Sequence, residues 1–236
     1  MKLLIDIGNT NIKWGLCQGK EILSHGEATN KIWKSLVQTH GVTHAVITHS
    51  GKGVAATLQE LKNLGIPVTE FNTTSPLPLT VDYATPETLG PDRLAAACGA
   101  WLQTNHEACV IIDGGTCVTI DYVDAIGFYR GGAILPGIDM QLKALHQNTA
   151  RLPLIPWERS IESDPLGRTT HESMLAGTVC AMQFAIKEFV QYYSRGNIVP
   201  KVFVTGGDGP IITSHISNTI FDPLLVLKGM ATLPIE

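Results

Sequence analysis

At 236 residues the chain has room for two small domains, which run at roughly 100 to 200 residues each. A formal net charge of −4 and an isoelectric point near 6.0 supply no long-range attraction for nucleic acid or an anionic membrane surface, which leaves a small molecule as the expected partner. Five cysteines without a C-x-x-C pair speak against a disulfide framework or a zinc site, and no apolar stretch nears the roughly 20 residues of a membrane span.

In chain order, Leu3 to Ile7 reads as a buried strand, Gly8-Asn9 as its turn, and Ile12, Trp14 and Leu16 alternate as a returning strand should, which puts Asp6 at a hairpin tip. Because Asp6 ends the apolar run of the first residues, no secretory leader is expected, and the thiols are expected to be buried in a reducing cytoplasm. A third strand over Glu21 to Ser24 and a helix starting at Asn30 follow. Strand His44 to Thr48, helix Val54 to Leu64 and strand Val68 to Phe71 continue an alternation that favours a sheet flanked by helices. Thr73 to Pro86 carries no helical period and reads as a loop or an extended crossing segment. It leads into Gly90-Pro91-Asp92-Arg93 and a helix of small residues from Leu94 to Leu102, with Pro91 in the first turn, where a missing N–H does no harm.

The second half repeats the opening order: strand Cys109 to Asp113, turn, strand Cys117 to Val123, and a third strand from about Gly127 to Leu135. Helices are predicted over Ile138 to Ala150 and Thr170 to Tyr193. Strand Lys201 to Thr205 then ends in Gly206-Gly207-Asp208-Gly209, a cluster where backbone can approach a flat ligand such as a nucleoside. Two α/β domains are expected, residues 1–106 and 107–236, facing one cleft. The 44% apolar and 16% charged composition leaves apolar area for a subunit interface, so a homo-oligomer is expected.

Asp6-Ile7-Gly8-Asn9-Thr10 and Asp113-Gly114-Gly115-Thr116 share one design: an apolar strand ending in a carboxylate, a glycine that admits close approach, and a hydroxyl or amide at the turn. One such turn is weak; two in matching strand contexts point to a polyphosphate and its cation. Gly8, Asn9, Thr10, Asn11 and Lys13 can hold phosphate, and Asp6 and Asp113 can offer the carboxylate oxygen that hard cations prefer. Asp92, at a helix N-terminus beside Arg93, is the candidate base; from this segment alone it serves equally as a complement to the helix dipole. Arg93 suits a carboxylate or phosphoryl group through its planar fork, or pairs with Asp92. Tyr83 reads as a substrate contact or a packed surface residue, and Thr170, by itself, as a helix N-cap.

With Asp6-x-Gly-Asn-Thr-Asn, Gly90-Pro-Asp-Arg93, Asp113-x-Gly-Thr116-x-x-Thr119 and Gly131-Gly132-Ala133-Ile134-x-Pro136-Gly137 in order over nearly its whole length, the chain resembles the type III pantothenate kinases of the acetate kinase, sugar kinase, Hsp70 and actin superfamily. The resemblance implies two ribonuclease-H-like (actin-like ATPase) domains, each a mixed sheet flanked by helices, with an interdomain nucleotide cleft, and a homodimer. It implies transfer of the ATP γ-phosphate to pantothenate, the first step toward coenzyme A. Asp6, Ile7, Gly8, Asn9, Thr10, Asn11, Ile12, Lys13 and Thr116 would bind ATP, and Asp92 would accept the proton. Tyr83, Gly90, Pro91, Asp92, Arg93 and Thr170 would bind pantothenate. Asp113 would take part in a potassium or ammonium site, beside a magnesium ion carried with the nucleotide. Two stretches depart from the family pattern, Cys117 and His49-Ser50-Gly51, and neither is expected to touch the chemistry. The alternatives are a kinase of another small alcohol, or a regulatory ATP-binding homologue, against which the retained Asp92, Arg93 and paired D-x-G segments argue.

Overall fold

The computed structural model describes every residue except 29–31, 52, 160–162, 196–197 and 235–236, so the helix start expected at Asn30 lies outside the described residues. The chain forms two compact units, one of residues 1–106, 123–130 and 224–236, the other of residues 107–122 and 131–223.

In the first unit, β1 (Lys2–Ile7), β2 (Ile12–Gln18), β3 (Glu21–Ala28), β4 (His44–His49) and β5 (Val68–Glu70) form a sheet of order β3-β2-β1-β4-β5, antiparallel across β1/β2/β3 and parallel across β1/β4/β5. The run Leu3-Leu4-Ile5 of β1 is apolar at every position because the strand is covered on both faces. Leu3, Ile5 and Ile7 pack with Trp33 and Leu36 of α1 (Trp33–His40) and Leu61 of α2 (Val54–Asn63). Strand alternation turns Leu4 and Asp6 the other way. On that side Gly15 meets both Leu4 and Leu227, the latter from the C-terminal helix over Leu225–Met230.

That C-terminal helix lies against α3 (Pro91–Gln103) at a distance only small residues allow: a Cβ on Gly229 would fall 1.7 Å from the carbonyl oxygen of Ala95, and one on Gly99 2.3 Å from that of Leu225. The small-residue run predicted over Leu94 to Leu102 is therefore a helix–helix contact surface. Lys2 anchors the same terminus by donating from Nζ to the carbonyls of Ala231 and Leu233 at 3.0 and 2.7 Å. Burial of that ammonium holds its pKa below the usual lysine range.

The stretch expected to be a loop or an extended crossing segment contains a two-residue strand, β6 (Thr80–Val81), parallel to the first residues of β9 (Phe128–Pro136). The N–H groups of Thr80 and Asp82 donate to the carbonyls of Gly127 and Tyr129 at 2.8 and 3.0 Å. Its partner lies far along the chain, so no local pattern announces it.

The second unit contains β7 (Cys109–Gly114), β8 (Cys117–Val123), the continuation of β9, β10 (Lys201–Thr205) and β11 (Thr219–Phe221), in the order β11-β10-β7-β8-β9 with β7/β10/β11 parallel. Read from its third strand, this is the order of the first sheet again. Val110, Ile112, Val118, Ile120, Val202 and Val204 pack against Ile138 and Leu142 of α4 (Ile138–Gln147) and Ile212 of α7 (Gly209–Ile212). The single helix expected from Thr170 to Tyr193 is α5 (Thr170–Leu175), a π-helical turn over Ala176–Cys180, and α6 (Ala181–Tyr193). The C-terminal helix of the first unit is thus α8 in chain order.

Cys17, Cys98, Cys109 and Cys180 are buried, and burial pushes the Cys109 thiol up to about 12. Cys117 departs from the expectation: it stands exposed at the first position of β8, before the strand's buried alternation begins.

Candidate active site

The first D-x-G turn is built by its neighbours in the sheet. Asp6 is half-buried at the end of β1, in register with Lys13 of β2 on one side and Thr48 of β4 on the other. Gly8 closes the four-residue turn, its N–H donating to the Asn11 carbonyl at 3.1 Å, while Asn9, Thr10 and Asn11 stand exposed. The side-chain amide of Asn11 donates to Glu27 at 3.2 Å.

The stretch His49-Ser50-Gly51 packs on the backbone of this turn. The N–H groups of Ser50 and Gly51 both donate to the Ile7 carbonyl, at 3.1 and 3.0 Å. A Cβ on Gly51 would fall 2.1 Å from the Gly8 carbonyl oxygen, so only glycine lets the loop after β4 lie against the turn. The signal was a glycine two residues past a strand end, but its partner was not readable locally.

Gly90 is the N-cap of α3, Pro91 its first residue and Asp92 its second. Oδ1 of Asp92 accepts the Arg93 N–H at 2.9 Å, so the carboxylate folds back over the helix start. Asp92 is half-buried and Arg93 buried. Tyr83 follows β6 and sets its ring 6.1 Å from the buried Tyr129 ring at 57°. The neighbouring Asp82 is bonded by the Arg130 guanidinium, which also donates from Nε to Asp124 at 2.7 Å. This pair of carboxylates holds the Tyr83 segment beside the turn before β9.

In the second unit Asp113 and Gly114 end β7. The loop after β10 lies on them as the loop after β4 lies on Gly8. The Asp208 N–H donates to the Gly114 carbonyl at 2.9 Å, and a Cβ on Gly206, at φ +80°, would meet that oxygen at 2.3 Å and Oδ1 of Asp113 at 2.4 Å. Thr116 is exposed in the turn before β8, and its carbonyl accepts the Gly137 N–H at 3.0 Å.

The N-cap role read for Thr170 belongs to Thr169. Its hydroxyl accepts the Glu172 N–H at 3.1 Å while the Glu172 carboxylate accepts the Thr169 N–H at 3.1 Å, a reciprocal capping box. Thr170 is left with its hydroxyl uncommitted among the described residues, on a pocket of about 630 Å³ that Arg168, Ser173 and Gly177 also line. Gly177 belongs to the π-helical turn, a feature that recurs at functional sites.

Among the described residues no group of three or more His, Cys, Asp or Glu side chains forms a metal cage. The Asp113 carboxylate lies over Gly206 at the end of β7.

The type III pantothenate kinase family model matches residues 2–192. A type III pantothenate kinase from Bacteroides fragilis is 36% identical, covering 98% of this chain and 96% of that one; another, from Flavobacterium psychrophilum, is 32% identical over 94% and 92%. Among solved structures, a Campylobacter jejuni protein attributed to the Baf transcriptional activator family superposes with a TM-score of 0.65 at 22% identity, covering 97% and 94% of the two chains. Component A of (R)-2-hydroxyglutaryl-CoA dehydratase from Acidaminococcus fermentans does so with 0.51 at 15%, covering 98% and 95%. At such identities the structures establish the fold alone, a mixed α/β architecture with two sheets, that of the actin-like ATPases and sugar kinases. The family match and the full-length relatives carry the identity: this chain belongs to the type III pantothenate kinase family.

Proposed function

We propose that this protein transfers the γ-phosphate of ATP to the primary hydroxyl of pantothenate, giving 4′-phosphopantothenate. The observation that carries this reading is Asp92 on the first turn of α3, folded back over Gly90 within the Gly-Pro-Asp-Arg segment of a family member. The hydroxyl oxygen forms a bond to the γ-phosphorus as the bond from that phosphorus to the β–γ bridging oxygen breaks, ADP departs, and the hydroxyl proton passes to the Asp92 carboxylate. A loose transition state asks that base mainly to orient the hydroxyl and take its proton late.

Asp6 to Lys13 hold the nucleotide phosphates, through the exposed turn and the Lys13 ammonium, and Thr116 contributes its hydroxyl. Magnesium, when bound, neutralises charge on the β- and γ-phosphates. Asp113 supplies oxygen to a monovalent cation, potassium or ammonium. Tyr83, Gly90 to Arg93 and Thr170 bind pantothenate, with Arg93 suited to its carboxylate. The uncommitted Thr170 hydroxyl on its pocket supports that role. A homodimer in the cytoplasm completes the reading. Phe184 and Tyr192, two turns apart on α6 and each about half exposed, offer apolar area to a second copy.

The test is phosphorylation of pantothenate by ATP, compared in potassium and sodium. Activity should rise in potassium and fall at least a hundredfold in Asp92→Asn with the fold intact; an active variant would overturn the base assignment. Asp113→Ala should abolish the potassium response.

A further inference from the structure

The glycine turn after β10, where sequence suggested that a flat ligand meets bare backbone, is already covered on one side by a cation. A Cβ on Gly207 would fall 2.6, 3.0 and 3.2 Å from Nη2, Cζ and Nε of Arg159, so the guanidinium presents its plane, not its edge, to that residue. Asp208, 5% exposed, fixes the plane: its Oδ1 accepts from Nε of Arg159 at 2.7 Å and from Nε1 of Trp157 at 3.1 Å. The Arg159 side chain is nevertheless 63% exposed, and its terminal amino groups donate to nothing among the described residues. Through the Asp208 N–H the same turn is tied to Gly114, beside Asp113.

An ion pair serving stability alone does not need a planar cation spread on a glycine, and a pair whose cation stands in solvent contributes little. A guanidinium with one face on backbone and the other open is a stacking surface for an aromatic ring. From this geometry we infer that the outward face of Arg159 is the platform on which the nucleobase of the bound nucleotide stacks, with Asp208 and Trp157 holding it in plane. The inference rests on the ATP-binding reading above. It replaces bare glycine by an arginine as the surface that meets the base.

Calorimetric titration of the intact protein with magnesium ATP and with magnesium tripolyphosphate, in wild type, Arg159→Ala and Arg159→Lys, separates base from phosphate. Lysine keeps a positive charge for Asp208 and guards against a folding defect, but has no planar face. Both variants should bind ATP about three- to tenfold more weakly and tripolyphosphate within twofold of wild type. Unchanged ATP affinity in either variant, or an equal loss for tripolyphosphate, would overturn the platform. A wild type that binds ATP but leaves pantothenate untouched would fail the kinase reading and not this one; an active kinase whose Arg159→Lys form binds ATP normally would fail this one alone.

Discussion

Oδ1 of Asp92 lies 2.7 Å from the point where residue 90 would carry a Cβ, so Gly90 keeps open the space into which the carboxylate folds. The backbone of Gly90, at φ −56° and ψ 123°, is one any residue adopts, so the glycine answers to the carboxylate and not to the turn. Gly90→Ala should therefore leave the melting temperature near wild type while kcat falls at least tenfold, about 1.4 kcal/mol of barrier. Wild-type kcat in that variant would mean that the carboxylate works from another position.

The capping box and the pocket divide two adjacent threonines. Thr169→Ala removes a cap worth about 1 kcal/mol and should lower the melting temperature by about 2–4 °C. Thr170→Val should leave the melting temperature alone and raise KM for pantothenate several-fold. Steady-state kinetics beside thermal unfolding decide it, and a Thr170→Val enzyme with unchanged KM would remove Thr170 from the acceptor site.

Thr48, 1% exposed and in register with Asp6, has a buried hydroxyl with no hydrogen-bond partner among the described residues. Valine keeps the shape and removes the desolvated group. Thr48→Val should gain about 1 kcal/mol and unfold about 2–4 °C higher. A lower melting temperature would show that the hydroxyl is engaged in solution.

The turn before β9 should set part of the acid stability. Burial works to raise the Asp124 pKa, but the N–H of Phe128, the Arg130 guanidinium and the N–H of Ile126 outweigh it and hold the carboxyl below the usual range. With the folded value below the unfolded one, the contribution is full above the unfolded value, about pH 3.9, and is lost as pH falls through the folded one. Asp124→Asn should thus be less stable than wild type at pH 7, and the gap should close below about pH 4 in denaturant titrations. A gap that persists at pH 2 would assign the loss to something other than ionisation.

What could be read locally was read from groups whose partners are near in sequence. A carboxylate and a glycine after an apolar run mark a strand end whatever surrounds it, so the turns at Asp6 and Asp113 were legible. Pro91 marked the first turn of α3 because its missing N–H is harmless only there. The repeated strand order followed from two such openings in one chain.

The amino-acid sequence by itself determined most strands and helices as far as β10, the two glycine-bearing acid turns and the place of Asp92 on a helix start, since propensity and alternation act over a few residues; β6, the π-helical break between α5 and α6, and the closing α7, β11 and α8 were not read from it. Only the tertiary structure decided what lies on those turns: Ser50 and Gly51 against Gly8, β6 on β9, α8 on α3, and Arg159 on Gly207. These contacts join segments whose spacing the chain leaves open. Their geometry is set by backbone close approach and buried hydrogen bonds, and neither exists until the units have folded.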